Sequence, residues 1–354
     1  SLAVLNEAKA VIVVKGQQAS GKPLTDDQAA TIENFIKDAE FNANEALWDV
    51  MHPGIDPYGW EQIGIRGAIG RRYLLKQHGD FFRADILPFD MRNCVYGLDR
   101  HGLNWVAFAR VITKEESEME YGPNGMLSEP FGVEWDYWSR TIERVFVNNI
   151  LVAEQLNPLG YPPFVLDLVQ SGTFLGTSWR AIRMNGDSLF TANRDLYPHW
   201  NAIHSIMQTM NYLTLAPPTI WKTKGGQKLP DKPPFRMGRQ VGLDSEDNED
   251  VAQIELPDIQ ASNRNFQATL GGALQRGSLA YTDWGNLAFQ LSQVALATLG
   301  DAARQVYTPR LFTMARSRKK GAMMMIDQMR RFNLRANIGR SGEKRAYTAA
   351  DLEG

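Results

Sequence analysis

The spacing of apolar positions predicts helices near the start of the chain. An amphipathic helix is expected from Asp26 to about Val50, and Thr25 and Gln28 have the spacing of a capping box at its start. A second helix is predicted for residues 60–76. The apolar face of the first helix consists of Ile32, Phe35, Ile36 and Ala39.

Between residues 80 and 169 the pattern changes to short apolar runs separated by turn residues. The turn sequence Leu98–Gly102 predicts two strands joined as a hairpin. A short charged helix follows in residues 114–122, and residues 131–169 read as a small β-rich module bounded by glycine and proline. Together these elements predict a mixed α+β fold.

A long helix is predicted for residues 193–217, where Asn193 or Asp195 can cap the start and Pro217–Pro218 ends it. Its two histidines, His199 and His204, are five positions apart, or about 140° around a helix, whereas a helical metal pair needs four. The helix is also too polar to lie in lipid. Its apolar stripe consists of Leu196, Trp200, Ile203, Met207 and Met210.

The C-terminal third is predicted to be mainly helical after an irregular segment that carries the acidic run Asp244–Asp250. Residues 263–277 have a helical pattern, and residues 286–334 predict two helices broken near Thr308–Pro309. The methionines of the last helix are expected to pack rather than to bind copper; they are Met323, Met324, Met325 and Met329.

Composition places the chain among ordinary globular proteins, with 354 residues, 44 % of them hydrophobic and 22 % charged. Cys94 is the single cysteine and cannot form an internal disulfide, which favours a reducing compartment. We find no targeting segment and no apolar run of membrane-spanning length, so we expect no membrane association.

The net charge of −2 hides a strong segregation along the chain. Residues 304–345 hold twelve Lys and Arg against two acids, whereas residues 1–303 carry a net −10. A basic block of this kind can follow phosphates, or it can be a solvated helical face with a mobile tail.

Gly16, Gly21 and Lys22 have the spacing of a phosphate-binding loop, but Pro23 stands where that loop needs Ser or Thr. Proline also removes a backbone N–H donor. We therefore predict no nucleotide site.

The strongest catalytic candidate is the pair Glu134 and Asp136, which would project from one face of a strand beside aromatic residues. Two carboxylates can hydrolyse a glycosidic bond when they flank it, and neighbours on one strand do not. The favoured interpretation is a solvated strand face paired with Arg140 or Arg144. We predict no enzymatic activity and no cofactor.

The order of elements resembles that of the portal proteins of tailed bacteriophages. Residues 85–122 are similar to the portal segment that leads into the first stem helix, residues 133–166 to the clip, and residues 186–218 to the second stem helix. The resemblance divides the chain into an N-terminal part of the wing (1–110), a first stem helix region (111–128), a clip and return segment (129–192), a second stem helix (193–217), a wing return with a tunnel loop (218–280) and a helical C-terminal wing or crown part (281–354).

The resemblance implies a ring of about twelve subunits at one capsid vertex, through which double-stranded DNA enters and leaves without sequence readout. It also implies location in the virion, with assembly in the host cytoplasm. The implied partners are the terminase large subunit, tail adaptor or head-completion proteins, and the major capsid and scaffolding proteins.

By the same resemblance the predicted site residues fall into three groups. The DNA channel would be lined by Asn201, Gln208 and Asn211 of the second stem helix and by Gln260, Asn263 and Arg264 of an irregular tunnel loop around residues 259–264. Residues 135–165 would dock terminase and later a tail adaptor, using Trp135, Tyr137, Trp138, Arg140 and Arg144. Subunit packing would involve Trp200, Ile203, Met207 and Met210.

Two alternatives remain open from the sequence. The first is a nucleic-acid-binding protein that uses the basic block 304–345, for which DNA affinity would fall steeply with salt. The second is a carbohydrate-acting enzyme, for which activity would be lost in Glu134→Gln.

Overall fold

The computed structural model describes residues 12–15, 23–170, 186–215, 219–222, 250–253, 261–277, 307–340 and 342–352. The protein is mixed α+β and divides into two compact units, Ser1–Thr191 with Thr282–Gly354 and Ala192–Tyr281. Among the sequence predictions, the rejected phosphate loop at residues 16–22, most of the acidic run and the helix predicted before residue 307 lie outside the described residues.

The first unit contains four helices and ten strands in its described part. The helices are α1 (Asp26–Asp49), α2 (Ile55–Arg66), α3 (Lys114–Tyr121) and the C-terminal helix Thr308–Arg331, called α6 because α4 and α5 belong to the second unit. The strands are β1 (Ala68–His78), β2 (Phe81–Phe89), β3 (Cys94–Asp99), β4 (Gly102–Thr113), β5 (Phe131–Ser139), β6 (Ile142–Val147), β7 (Ile150–Leu156), β8 (Phe164–Leu168), β11 (Arg335–Ile338) and β12 (Arg345–Thr348).

These strands form two five-stranded sheets. The mixed sheet has the order β12-β11-β2-β1-β8, in which β11 and β2 are parallel and the other pairs antiparallel. The meander sheet has the order β3-β4-β5-β6-β7 and is antiparallel throughout. A cluster of aromatic side chains joins the two sheets; it consists of Phe89, Tyr96, Phe108, Trp138 and Phe164 with Val106.

Helix α1 forms as predicted. Thr25 and Gln28 make both hydrogen bonds of the capping box, which satisfies backbone donors that the first helical turn leaves unpaired. The predicted apolar face is buried against the mixed sheet and α6. Burial of this face, rather than helix propensity, is the main stabilisation of such a helix.

The helix predicted for residues 60–76 is wrong beyond Arg66. Gly67 adopts the left-handed conformation, with φ of 66°, and ends α2. Strand β1 then begins at Ala68. Its side chains alternate between two faces of the mixed sheet. Arg71 and Tyr73 lie on the face covered by helices, and Arg72 lies on the face toward the meander sheet.

The β-rich module predicted for residues 131–169 is not separate. Strands β5, β6 and β7 continue the sheet begun by β3 and β4, because β5 pairs with β4 over nine residues. Strand β8 instead joins the edge of the mixed sheet beside β1. Two earlier predictions in this region are confirmed: the hairpin turn between Asp99 and Gly102, and the short charged helix α3.

Arg71 lies on β1 with no solvent exposure. Its Nη2 donates to the Ile55 carbonyl oxygen at 3.0 Å and lies 3.5 Å from Asp56 Oδ1, both on α2. The same nitrogen is 3.3 Å from Met314 Sδ on α6. A β-carbon at Gly59 would lie 2.4 Å from this nitrogen, so glycine provides the space that the guanidinium occupies.

Helix α6 packs against β1 and β8 on the helix-covered side of the mixed sheet. Met325 and Met329 are buried in its core, as predicted, whereas Met323 is exposed. Gln328 links the helix to the strand: its side-chain amide donates to the Tyr73 carbonyl and accepts from the Leu75 N–H. The Tyr73 ring lies against Gly321 of the same helix.

The second unit is described in part. It contains α4 (Leu196–Leu215), the short strands β9 (Thr219–Lys222) and β10 (Asp250–Gln253), which pair antiparallel, and α5 (Ala261–Gly277). Helices α4 and α5 pack together, and we call them the helical pair. The predicted helices at residues 193–217 and 263–277 are confirmed, with bounds that differ by a few residues.

Gly321→Ala tests the contact between α6 and β1. Alanine normally favours a helix over glycine by about 1 kcal/mol. Here its β-carbon would lie 2.1 Å from the Tyr73 ring, so we expect destabilisation of about 1–3 kcal/mol in urea unfolding. Gly272→Ala in α5 is the control and should be neutral or stabilising, because among the described residues no atom outside the local helix backbone lies within 4 Å of the added β-carbon. Equal effects at the two glycines would contradict this packing.

Candidate interaction surfaces and charged cleft

The helical pair is held by contacts near the start of α4. A β-carbon at Gly271 on α5 would lie 3.4 Å from the Trp200 ring, so Trp200 packs over this glycine. Ahead of α4, the Asn193 side chain donates to the Leu274 carbonyl at 2.7 Å. Ile203 and Leu270 are buried. Trp200, predicted to pack against another subunit or helix, therefore packs within its own chain.

The predicted channel residues of α4 share one exposed face. Asn201, Gln208 and Asn211 are separated by seven and three positions, which places them within about 80° of each other around the helix. All three are exposed, and the buried Ile203 lies on another face. The helix therefore presents amides to its surroundings while its apolar stripe faces elsewhere.

Part of the predicted tunnel loop is helical. Residues 261–264 belong to the first turn of α5, so Asn263 and Arg264 are helical, and Gln260 lies outside the described residues. Arg264 is exposed. Asn263 and Arg264 were predicted both in this loop and at the start of the helical pattern 263–277, because Ser and Asn in a first turn are typical of loops and of helix caps alike.

One histidine of α4, His204, lies beside an aromatic side chain of the same helix. The His204 ring packs on Trp200 with ring centroids 4.2 Å apart. Within the part of the chain that the structure describes, no group of three or more His, Cys, Asp or Glu is arranged to hold a metal ion. None of the described helices combines the length and apolar content needed to cross a bilayer.

The predicted docking residues of β5 and β6 separate onto opposite faces of the meander sheet. Trp135 and Tyr137 lie opposite Phe146 and Arg144 of β6 and share the face turned away from the mixed sheet. Trp138 is buried in the aromatic cluster between the sheets, so its prediction as a docking residue is wrong. Its neighbour Ser139 ends the strand, one position before Arg140.

Glu134 and Asp136 share one face of β5, as predicted, but that face is buried. The expected solvated strand face is therefore wrong, and so are its expected partners. Arg140 pairs with Asp99 and Arg144 with Glu154, each at 2.7 Å. The register explains the burial: positions 134, 136 and 138 all point toward the mixed sheet.

Arg110 is the partner of Glu134. It lies directly opposite on β4, and its Nε and Nη2 donate to the two carboxylate oxygens at 2.7 and 3.0 Å. The same guanidinium reaches Glu116 of α3 at 2.9 Å and Glu120 at 3.0 Å. The Tyr121 hydroxyl donates to Glu134 Oε2 at 3.0 Å. Arg110 thus ties α3 to the meander sheet.

Arg72 is the partner of Asp136 and connects the two sheets. Its Nη1 donates to Asp136 Oδ2 at 2.6 Å, and its Nη2 donates to Asp85 Oδ2 at 3.1 Å. Lys76 lies 3.0 Å from the same Asp85 oxygen. These groups line a cleft of about 540 Å³ between β1–β2 and β4–β7.

The proton affinities in the cleft follow from burial and pairing. Burial raises the pKa of Asp136 despite the attraction of Arg72. Burial also acts to raise the pKa of Asp85, but Arg72 and Lys76 outweigh it and hold that pKa below the usual range. Burial and the charge of Glu134 raise the pKa of Tyr121.

The hydrogen bonds of Glu134 suit it to holding the fold. Both oxygens of Glu134 already accept hydrogen bonds from Arg110, and one also accepts from Tyr121. Such a carboxylate has little capacity left to accept a proton from a substrate. Sequence reasoning missed Arg110, which the strand register brings opposite Glu134. It also missed Arg72, which only the packing of the two sheets brings to Asp136.

Five basic side chains of α6 form ion pairs with acids of the same chain. Asp167 of β8 pairs with two of them, at 3.1 and 2.7 Å. The buried Arg310 donates to the Asp187 carbonyl at 3.0 Å. The five are Arg310, Arg316, Arg318, Lys320 and Arg331, with partners Asp187, Asp167, Asp56, Asp167 and Asp327. Five of the twelve basic residues of the block therefore form ion pairs within the described part of the chain.

Comparison of the chain with protein-family models finds no match, and comparison with curated proteins finds none either.

Asp85→Asn tests the charge network of the cleft. Because the folded pKa of Asp85 is lowered, its contribution to stability is present above the unfolded value and is lost as pH falls through the folded pKa. We expect a loss of about 1–2 kcal/mol in the unfolding free energy near pH 6, shrinking below about pH 4. Asp80→Asn in the β1–β2 turn is the control. A loss at Asp85 that stays constant with pH would contradict this assignment.

Proposed function

We propose that this chain is the subunit of a portal ring that forms the channel for DNA at one vertex of a bacteriophage capsid. The observation that carries the proposal is the helical pair in its own unit. One side of α4 packs on α5, and the other side exposes three amides. Exposed apolar residues accompany them, with Ile206 60 % and Tyr212 64 % exposed.

Two helices alone cannot bury all of their apolar surface. Contiguous exposed apolar groups on a helical unit favour association with further helices. Closed symmetric rings form when the same head-to-tail contact repeats until it closes. A helical pair repeated around an axis would bury Ile206 between neighbours and leave the amide face, which also carries Tyr212, for the channel.

The amides suit a passage for duplex DNA. A lining rich in Lys and Arg would bind phosphates and release counterions, which would hold the DNA in place. Asn and Gln interact with a hydrated duplex without that large electrostatic term. Arg264 adds one positive charge in the first turn of α5, where the helix dipole also favours an anion.

In this proposal the first unit is the wing, and the second unit supplies the second stem helix. The residues from α3 through β7 form the part that docks terminase during packaging and a tail adaptor afterwards. The subunit itself carries out no covalent chemistry and needs no cofactor. The further partners in this proposal are the major capsid and scaffolding proteins.

The docking role cannot be tested by deleting residues 135–165. Strands β5 and β6 are central in the meander sheet, so such a deletion would remove the core of the unit along with the surface. Single substitutions at exposed positions of β5 and β6 are the suitable variants.

The alternative is a nucleic-acid-binding protein that uses the basic block. The ion pairs of α6 weigh against it, because Asp56, Asp167 and Asp187 neutralise cations that phosphate would need. A phosphate contact by these side chains would have to break a partly buried ion pair first.

Native mass spectrometry with negative-stain imaging tests the ring. We expect a particle of about twelve copies with a central hole wide enough for duplex DNA. A stable monomer or dimer whose DNA affinity falls steeply with salt would favour the nucleic-acid-binding alternative.

Arg264→Glu tests the approach of α5 to DNA. Reversing this charge should repel the duplex phosphates and shorten or abolish packaging, measured as packaged genome length. Lys319→Glu on the exposed side of α6 is the charge-matched control and should package normally. Normal packaging with Arg264→Glu would remove the channel role. Loss of DNA binding with Lys319→Glu alone would support the alternative.

A further inference from the structure

The cleft between the two sheets contains a buried carboxylate with a free oxygen. Asp136 is only 4 % exposed, and its Oδ2 accepts a hydrogen bond from Arg72 at 2.6 Å. Its Oδ1 has no hydrogen-bond partner in the described part of the chain. The Trp138 indole N–H interacts with this carboxylate, but its geometry falls short of a hydrogen bond, since Nε1 also lacks a partner. Buried polar atoms are normally paired, so this oxygen still has the capacity to accept from a donor.

Glu143 is a second acid of the cleft, and it forms no ion pair with any described Lys or Arg. It lies half-buried on β6, where it accepts a hydrogen bond from the side-chain amide of Gln155 on β7. Every other acid that lines the cleft has a basic partner; these partners are Arg72, Lys76, Arg110 and Arg144. Glu143 is therefore the lining acid whose charge the fold leaves uncompensated.

Asp136 and Glu143 are close enough to act on one ligand. Asp136 lies opposite Val145 of β6, two positions from Glu143, so the two acids share the face turned toward the mixed sheet. Diagonal neighbours of this kind are about 7–8 Å apart. Burial raises the pKa of Glu143, and the charge of Asp136 adds to the rise. A cation placed between the two carboxylates would relieve their repulsion.

The charge of the cleft as a whole favours a cation. Six acids and three bases line it, which gives a formal charge of −3. The low-dielectric walls of a cleft focus such a charge and raise the local concentration of ions of opposite sign.

The rest of the lining is apolar. Aliphatic side chains contribute from four strands; they are Leu74 of β1, Leu87 of β2, Val145 of β6 and Ala153 of β7. Methylene groups pack well on such side chains, whereas a hydrated metal ion gains nothing from them. The volume of about 540 Å³ is within the range of small-molecule sites. A ligand that matches both features has ammonium groups joined by a short methylene chain.

We propose that this cleft binds an aliphatic polyamine, with one ammonium group between Asp136 and Glu143 and the methylene chain along the apolar wall. An ammonium group has three donors, enough to serve both acids. The terminal torsion of aspartate is broad, so a small rotation presents its free oxygen to the cleft. The inference goes beyond the proposed function and does not rest on it, because the cleft lies within the first unit.

Isothermal titration calorimetry of the full-length chain with cadaverine tests the inference. Cadaverine has an ammonium group at each end of a methylene chain, and pentanediol is its uncharged analogue. We expect one cadaverine to bind per chain and pentanediol not to bind. Tetramethylammonium, a cation without N–H donors, should bind weaker than cadaverine by about tenfold or more.

Glu143→Gln removes the uncompensated charge and keeps the shape of the side chain. We expect the affinity for cadaverine to fall by about tenfold or more, with a melting temperature close to that of the wild type. Glu61→Gln is the charge-matched control. Glu61 is exposed on α2, which covers the opposite face of the mixed sheet, and its variant should bind cadaverine like the wild type.

Ala153→Leu gives a second variant that changes no charge. The larger side chain on β7 occupies the space proposed for the methylene chain, so it should also weaken cadaverine binding. This variant decides the matter if Glu143→Gln fails to fold, and wild-type affinity in Ala153→Leu then overturns the inference.

The outcomes separate a polyamine site from general attraction of cations. Weaker binding in Glu143→Gln with unchanged binding in Glu61→Gln supports the site. Equal losses in the two variants, or equal affinity for cadaverine and tetramethylammonium, show only the charge of the surface and overturn it. A wild type that does not bind cadaverine shows that the cleft holds water alone, and overturns it too. None of these results depends on ring formation, so this inference and the portal proposal can fail separately.

Discussion

The buried guanidinium of Arg71 constrains the body of this protein more than any other group that the structure describes. A charged group without solvent contact must find its acceptors inside the fold. Arg71 finds them at Ile55 and Asp56 on α2, beside Met314 of α6, and Gly59 leaves the space that it needs. One strand, one neighbouring helix and one helix from the far end of the sequence are thereby fixed around a single side chain. Replacing such a group by an apolar one can be harmless to stability, so its main effect is to specify this one arrangement.

Ion pairs within the fold also accommodate the segregation of charge along the chain. Residues 1–303 are acidic and residues 304–345 basic, yet the fold brings them together, since Asp56, Asp167 and Asp187 pair with cations of α6. The C-terminal helix thus pairs part of this charge within the chain. Glu40, whose pKa is raised by burial, lies close enough to Arg318, Asp56 and Arg71 to feel their charges and extends this cluster to α1.

Local sequence signals were sufficient to predict the elements whose ends are determined by a few neighbouring residues. The capping box at Thr25, the turn before Gly102 and the helix after Thr308 are confirmed because a few neighbouring residues determine them. Pairs between residues far apart in the sequence could not be predicted from the sequence. Nothing near Glu134 indicates that Arg110 lies opposite, and nothing near residue 136 indicates that Arg72 of another sheet neutralises it. The helix expected through Lys76 failed for a related reason, since β1 takes its form from its neighbours in the sheet.

In the described part of the chain, each of the two units has exposed apolar side chains that do not contribute to its own core. In the meander sheet the face toward the mixed sheet is buried in the aromatic cluster, so the exposed side chains of Val111, Phe131 and Val133 on the opposite face add nothing to that core. In the helical pair, α5 covers the Trp200 side of α4 while Ile206 and Tyr212 stay exposed. Hydrophobic surface of this extent lowers solubility and gives the folded monomer no stability. In the proposed ring, neighbouring subunits would bury exposed apolar residues of the helical pair such as Ile206.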